Sequence, residues 1–162
     1  MLLALMSLLG CGDTSGSAED LTSCNAFTAT ESKIKPGMGG SSFQPIADGD
    51  DALIVGGFQG GHHLWGAIRL GMAQTTDITA LHFLVCQNNL PIAEQRYRDI
   101  TGLPQTARSL FGVPIVFTGI PPVNELDEME ATVHYAVEVN GLVKEVQVQV
   151  TLSCCGHVIN GD

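Results

Sequence analysis

Residues 129–153 read MEATVHYAVEVNGLVKEVQVQVTLS, and this stretch decides the fold class. Asn140-Gly141 at its centre is a two-residue hairpin signal, because both central positions of such a turn take positive φ. Folding the chain there sets Val139 opposite Leu142, Tyr135 opposite Val146, Val133 opposite Val148, Ala131 opposite Val150 and Met129 opposite Leu152. These pairs share one face. The other face pairs His134 with Gln147, Thr132 with Gln149 and Glu130 with Thr151. A slip of one residue would mix the two sets, so the pattern itself holds the register. The expected ribbon has one side in a core and one side in water. Cys154 continues the core side and Cys155 points away.

Upstream, from Phe43 onward, short apolar runs are cut by Gly, Pro, Asn and Asp, a rhythm typical of β-sandwiches and barrels. Strands are expected near 52–56, 62–71, 78–87, 92–99, 111–118, 129–139 and 142–153. In the second of these, Leu64, Ile68 and Leu70 alternate with His63, Trp65 and Arg69. The third, ITALHFLVC, is apolar on both faces and reads as a central strand. Residues 91–103 suit either a short helix or an edge strand. No long amphipathic helix is present, and 19 glycines with 6% aromatic residues suit a turn-rich β protein.

The chain begins differently. Leu2–Leu9 is an apolar run, too short to span a bilayer but suited to the core of an export signal. Leu8-Leu9-Gly10-Cys11 resembles a bacterial lipobox, in which the cysteine takes a diacylglycerol and becomes the first residue of the mature chain. No Lys or Arg precedes Lys33, so the usual basic start is missing. Residues 1–10 are expected as signal, 11–42 as a flexible lipid-anchored tether, and 43–162 as one β domain. Gly12, rather than Asp, after the cysteine favours the outer membrane by analogy with known sorting rules.

Five cysteines are present. If Cys11 carries lipid, Cys24, Cys86, Cys154 and Cys155 remain as disulfide candidates in an oxidising compartment. A bond between the neighbours Cys154 and Cys155 closes a strained ring. The preferred connectivities therefore tie Cys24 and Cys86 separately to that pair. The net charge of −10 argues against nucleic acid, whose binding needs clustered cations. Membrane attachment is expected through the N-terminal lipid alone.

Ile46-Ala47-Asp48-Gly49-Asp50, the run Gly56-Gly57-Phe58-Gln59-Gly60-Gly61-His62-His63-Leu64-Trp65-Gly66-Ala67-Ile68-Arg69, and Cys154-Cys155-Gly156 together resemble a group of uncharacterised lipoproteins of myxobacteria and related bacteria. Those proteins share a lipobox, an ADGD turn and a QGGxH strand entry. The resemblance implies an immunoglobulin-like sandwich at the cell surface and no particular activity. With the strand pattern, it leads to an all-β, immunoglobulin-like antiparallel sandwich of about seven strands.

For function, the run 57–66 is the most unusual segment. Trp65 could act as a platform, with Gln59, His62 and His63 as polar contacts to protein or glycan. The bland alternative is a turn entering a core strand. A copper or zinc site is the rival reading, and needs His82 or His134 brought beside His62 or His63, which point to opposite faces. The Cys154-Cys155-Gly156-His157 run lacks metal-site spacing. Asp48, Asp50 and Asp51 lack the calcium-loop pattern and read as turn acids. No nucleophile elbow, zinc-protease or phosphate-loop motif occurs. The chain is therefore read as a non-enzymatic, cofactor-free binding or structural module of the cell envelope.

Overall fold

The computed structural model describes Cys24 and residues 33–57, 61–119 and 122–154. The chain runs through β1 (Ile34–Met38), β2 (Gln44–Pro45), β3 (Asp50–Gly56), β4 (His62–Leu70), β5 (Ile78–Gln87), β6 (Leu90–Tyr97), β7 (Ser109–Phe117), β8 (Met129–Val139) and β9 (Leu142–Cys154). Two single 3-10 turns, Thr75–Asp77 and Val123–Glu125, are the only helical pieces among the described residues. The fold class is all-β, as the alternating patterns require.

The β8–β9 hairpin has the register read from the sequence, from Val139 opposite Leu142 to Met129 opposite Leu152. Asn140 and Gly141 both take positive φ, 52° and 74°. The β5–β6 hairpin turns the same way through Asn88 and Asn89, with φ of 49° and 63°. The segment at 91–103 is strand as far as Tyr97, where Leu90–Tyr97 pairs with Leu81–Gln87 of β5, and turn beyond it.

The strands form one sheet ordered β2-β1-β4-β3-β9-β8-β5-β6-β7, and β7 returns to pair with β4. Seven strands thus close into a barrel-like sheet, with β1 and β2 attached beside β4. Two pairings correct the sequence reading. First, β3 runs parallel to β9, Asp50–Ile54 alongside Val150–Cys154. Alternation alone says which face a strand buries, not which distant strand it joins or in which direction. Second, the expected tether to residue 42 ends earlier. β1 pairs with β4 from Ile34 opposite Leu70 to Met38 opposite Gly66. Its Pro36 and Gly37 disguise it, but Ile34 is buried in the core.

The interior is filled from all sides. Leu64 and Ile68 of β4, Leu81, Phe83 and Val85 of β5, Val113 and Ile115 of β7, and Val133, Tyr135 and Val137 of β8 are all fully buried. Burying each large apolar side chain contributes about 1.5–3 kcal/mol. Phe83 meets Tyr135 edge to face, ring centroids 4.9 Å apart. Gly66 of β4 lets the Phe83 ring approach from across the core, since a Cβ there would lie 2.6 Å from it. Tyr135 is fully buried, and its hydroxyl donates to the Gly37 carbonyl of β1 at 3.1 Å. Burial holds that phenol above its ordinary pKa. One side chain of the hairpin therefore secures the strand that the sequence conceals.

The disulfide corrects another expectation. Cys24 is bonded to Cys86, with Cα atoms 5.9 Å apart, which excludes both preferred connectivities. The register gives the reason. Cys86 lies opposite Thr132, and Thr132 opposite Gln149. Cys154 is five residues further along β9 and two strands across. At about 3.3 Å per residue, that is about 17 Å along the strand, far beyond disulfide reach. Cys154 is instead half-buried, and its backbone N–H donates to Asp127 Oδ1 at 2.7 Å. Cys11, Cys155, the 1–10 signal and residues 11–23 of the tether lie outside the described residues.

Candidate functional site

β4 places His63, Trp65 and Arg69 on the outer face of the sheet, as its alternation requires, while Leu64, Ile68 and Leu70 turn inward. His63 meets Trp65 edge to face, ring centroids 4.3 Å apart. Both side chains are half-buried. β7 runs alongside, with His63 opposite Val116 and Trp65 opposite Pro114. Val116 is 45% exposed, so the two rings open onto an apolar ledge.

The Trp65 platform is partly covered. A Cβ on Gly40 would lie 3.3 Å from the indole, so the backbone there packs against the ring. The Gly39 N–H also donates to the Trp65 carbonyl at 2.8 Å. On the other side, the Gly57 N–H donates to the Gly61 carbonyl at 2.6 Å, tying the ends of the β3–β4 connection together. Burial lowers the His63 pKa, and nearby His62 lowers it further. The ring therefore stays neutral near neutral pH, and its Nε2 is buried with no hydrogen-bond partner among the described residues. His62 precedes it on the strand, half-buried. Gln59 lies outside the described residues.

A second cluster forms on the outer face of β5, β6 and β8. His82 is 1% exposed, and its Nε2 lies 2.8 Å from Glu94 Oε1. Arg96 also binds that carboxylate oxygen. His134 of β8 is 3% exposed, although the hairpin pattern placed it on the water side. Burial, and then neighbouring His82, lowers its pKa to about 4. The face expected to be wet is thus dry at its centre, where His134 and Ala136 are both buried. Beside them a cavity of about 330 Å³ is lined by the Cys24–Cys86 bond, Thr132, His134, Gln147 and Gln149.

The metal reading needs His82 or His134 beside His62 or His63 of β4, yet β5 and β8, which carry His82 and His134, pair with each other and not with β4. The structure brings His82 and His134 onto adjacent strands, but Glu94 already bridges His82 to the Arg96 guanidinium, a fixed positive charge that opposes a cation there. Among the described residues no group of three or more His, Cys, Asp or Glu converges to hold a metal. Of the acids Asp48, Asp50 and Asp51, Asp50 closes a turn and Asp48 ties that turn to β9. Asp50 Oδ2 accepts the Ala47 N–H at 2.8 Å, and Asp48 Oδ1 accepts the Gln149 N–H at 2.8 Å.

Sequence reasoning missed the Glu94 bridge. Glu94 and Arg96 alternate on the strand at 90–97, a signal of a shared outer face, but nothing local says that His82 lies beside them. Compared with known proteins, the chain matches no family model and no curated protein.

Proposed function

We propose that this chain is a lipid-anchored binding module of the bacterial cell envelope. On this reading Cys11 carries the lipid at the outer membrane, and the β domain contacts protein or glycan without catalysing a reaction. The domain is read as immunoglobulin-like. Support comes from the strand order, in which β1-β4-β7 and β3-β9-β8-β5-β6 behave as two layers. The layers join only through short seams, Val55–Gly56 with His62–His63 and Ala93–Glu94 with Phe117–Val116. Phe83 and Tyr135 pack between them, as inner faces of a sandwich do.

The observation behind the binding role is the ledge of His63, Trp65, Pro114 and Val116. It joins an aromatic pair to exposed apolar surface, and glycine-rich connections lie on both sides. Aromatic residues half-open to water are favoured at recognition surfaces. The groups with the largest pKa displacements, His134 and Tyr135, are both buried, which supports a structural role for them.

Trp65 is the single tryptophan of the chain, so intrinsic emission reports on this ledge alone. Titration with soluble peptidoglycan fragments, envelope polysaccharide and envelope protein extract should shift its emission with at least one of them. Val116→Asp should abolish the shift. Unchanged emission with all three would end the reading for this face. Intact mass of membrane-extracted protein tests the anchor, and should show an acylated Cys11 as first residue.

A further inference from the structure

The chain is strongly acidic, yet four of its seven Lys and Arg residues meet in one place. Lys33, Lys35, Arg69 and Arg108 line a groove of about 450 Å³ with Gly71 and Met72. The topology forces this meeting. Lys35 of β1 lies directly opposite Arg69 of β4, and Arg69 opposite Ser109 of β7, next to Arg108. The Gly71 N–H donates to the Lys33 carbonyl, and the Leu70 N–H to the Arg108 carbonyl, both at 2.8 Å.

Like charges set directly across a sheet destabilise it, so this row is a cost to the fold unless an anion joins it. None of the four cations has a carboxylate within 4.0 Å among the described residues. Arg69 is held ready. Its guanidinium lies 4.3 Å over the Phe43 ring, and its Nε donates to Ser109 Oγ at 3.0 Å. Arg108 Nη1 reaches the Gly71 carbonyl at 3.4 Å. A second hollow of about 240 Å³ continues the groove past Met72 to Leu142 and Lys144. Of the acids near this end, Asp77 takes the Gln74 N–H and Glu138 the Thr79 hydroxyl instead.

Position decides among anion sources. The groove lies at the Val139–Leu142 end of the barrel, where Ile78 is opposite Val139. Cys24 is bonded to Cys86, near the other end of β5, about 26 Å away at strand spacing. Cys24, the described residue nearest in sequence to the proposed anchor, therefore lies towards the pole opposite the groove.

We propose that this groove is a binding site for a ligand carrying two or more carboxylate or phosphate groups, presented away from the anchoring membrane. The site names the ligand class of the envelope module and rests on that reading, but it is built from other side chains, further along the outer face of β4 than the Trp65 ledge, so either can fail alone.

Calorimetric titration of the full chain uses trigalacturonate as the carboxylate probe and inorganic tripolyphosphate as the phosphate probe. At low salt at least one should bind, and high salt should weaken it. Lys35→Gln with Arg69→Gln should lower affinity by about tenfold or more, while Arg98→Gln should leave it unchanged. Single Lys33→Gln and Arg108→Gln variants, which keep the Arg69 contacts, should each lose part of it, so a misfolded double variant does not decide the matter. Trigalacturonate alone binding assigns a carboxylated sugar source, and tripolyphosphate alone a phosphate source. No binding by either probe, affinity indifferent to these cations, or binding confined to phosphatidylglycerol vesicles would each overturn the proposal.

Discussion

The β8–β9 hairpin and the β1–β3 region belong to one sheet but are encoded differently. The hairpin brings together positions that are neighbours through a turn, so its register follows from Asn140-Gly141 and the alternation on either side. β1 and β3 take their partners from far along the chain. β1 joins β4, and β3 joins β9 in parallel. Their positions follow from what the rest of the barrel leaves open. Local pairing tolerates little ambiguity, whereas closure depends on shape complementarity that no short pattern carries.

The comparison breaks most severely at the disulfide. Replacing Cys24 and Cys86 together by Ala should cost about 2–4 kcal/mol in denaturant unfolding, because the bond restricts a long loop of the unfolded chain. Peptide mapping that finds Cys86 bonded to Cys154 or Cys155 would overturn the connectivity.

A second effect tests the buried outer face. His134 has a folded pKa of about 4 against an ordinary 6.5. The unfolded chain therefore takes up the proton first as pH falls. The stabilising contribution is complete above pH about 6.5 and is lost as pH falls towards 4. The loss, discounted for screening, is about 2 kcal/mol. His134→Gln should flatten the stability–pH curve over that window. An unchanged slope would show that the ring is open to water.

Next in size, Tyr135→Phe leaves the Gly37 carbonyl without its donor and should cost about 1 kcal/mol. Hydrogen exchange should quicken at the β1 amides and not at β8 or β9. Equal quickening throughout would mean that β1 is no separate unit. Gly141→Ala should cost slightly less, about 0.5–1 kcal/mol, since Gly141 sits at φ 74°. That loss should fall on the hairpin tip, and a variant as stable as the parent would remove the turn from the account of register.

Much of the fold was legible in the sequence. The strands at 52–56, 62–71, 78–87, 92–99, 111–118, 129–139 and 142–153 each correspond to a strand from β3 to β9. Strand β5 is paired along both edges and buried on both faces, as its apolar faces implied. β1 escaped because Pro36 and Gly37 break its alternation and only Ile34 is strongly buried within it, apart from the glycine. At the candidate site, the shared face of His63 and Trp65 was legible from strand periodicity. The covering of Trp65 by Gly40 was not, since it joins separate strands across a loop.

By itself, the sequence determined the all-β class, the hairpin register and the inward faces of β4 and of the hairpin. Each of these depends on residues only a few positions apart, or related by one turn. Only the tertiary structure decided the closure of the sheet, the Cys24–Cys86 bond, the burial of His134 and the meeting of Lys35 with Arg69. Those depend on which distant strands become neighbours, and that choice is made by the packing of the whole core rather than by any segment of it.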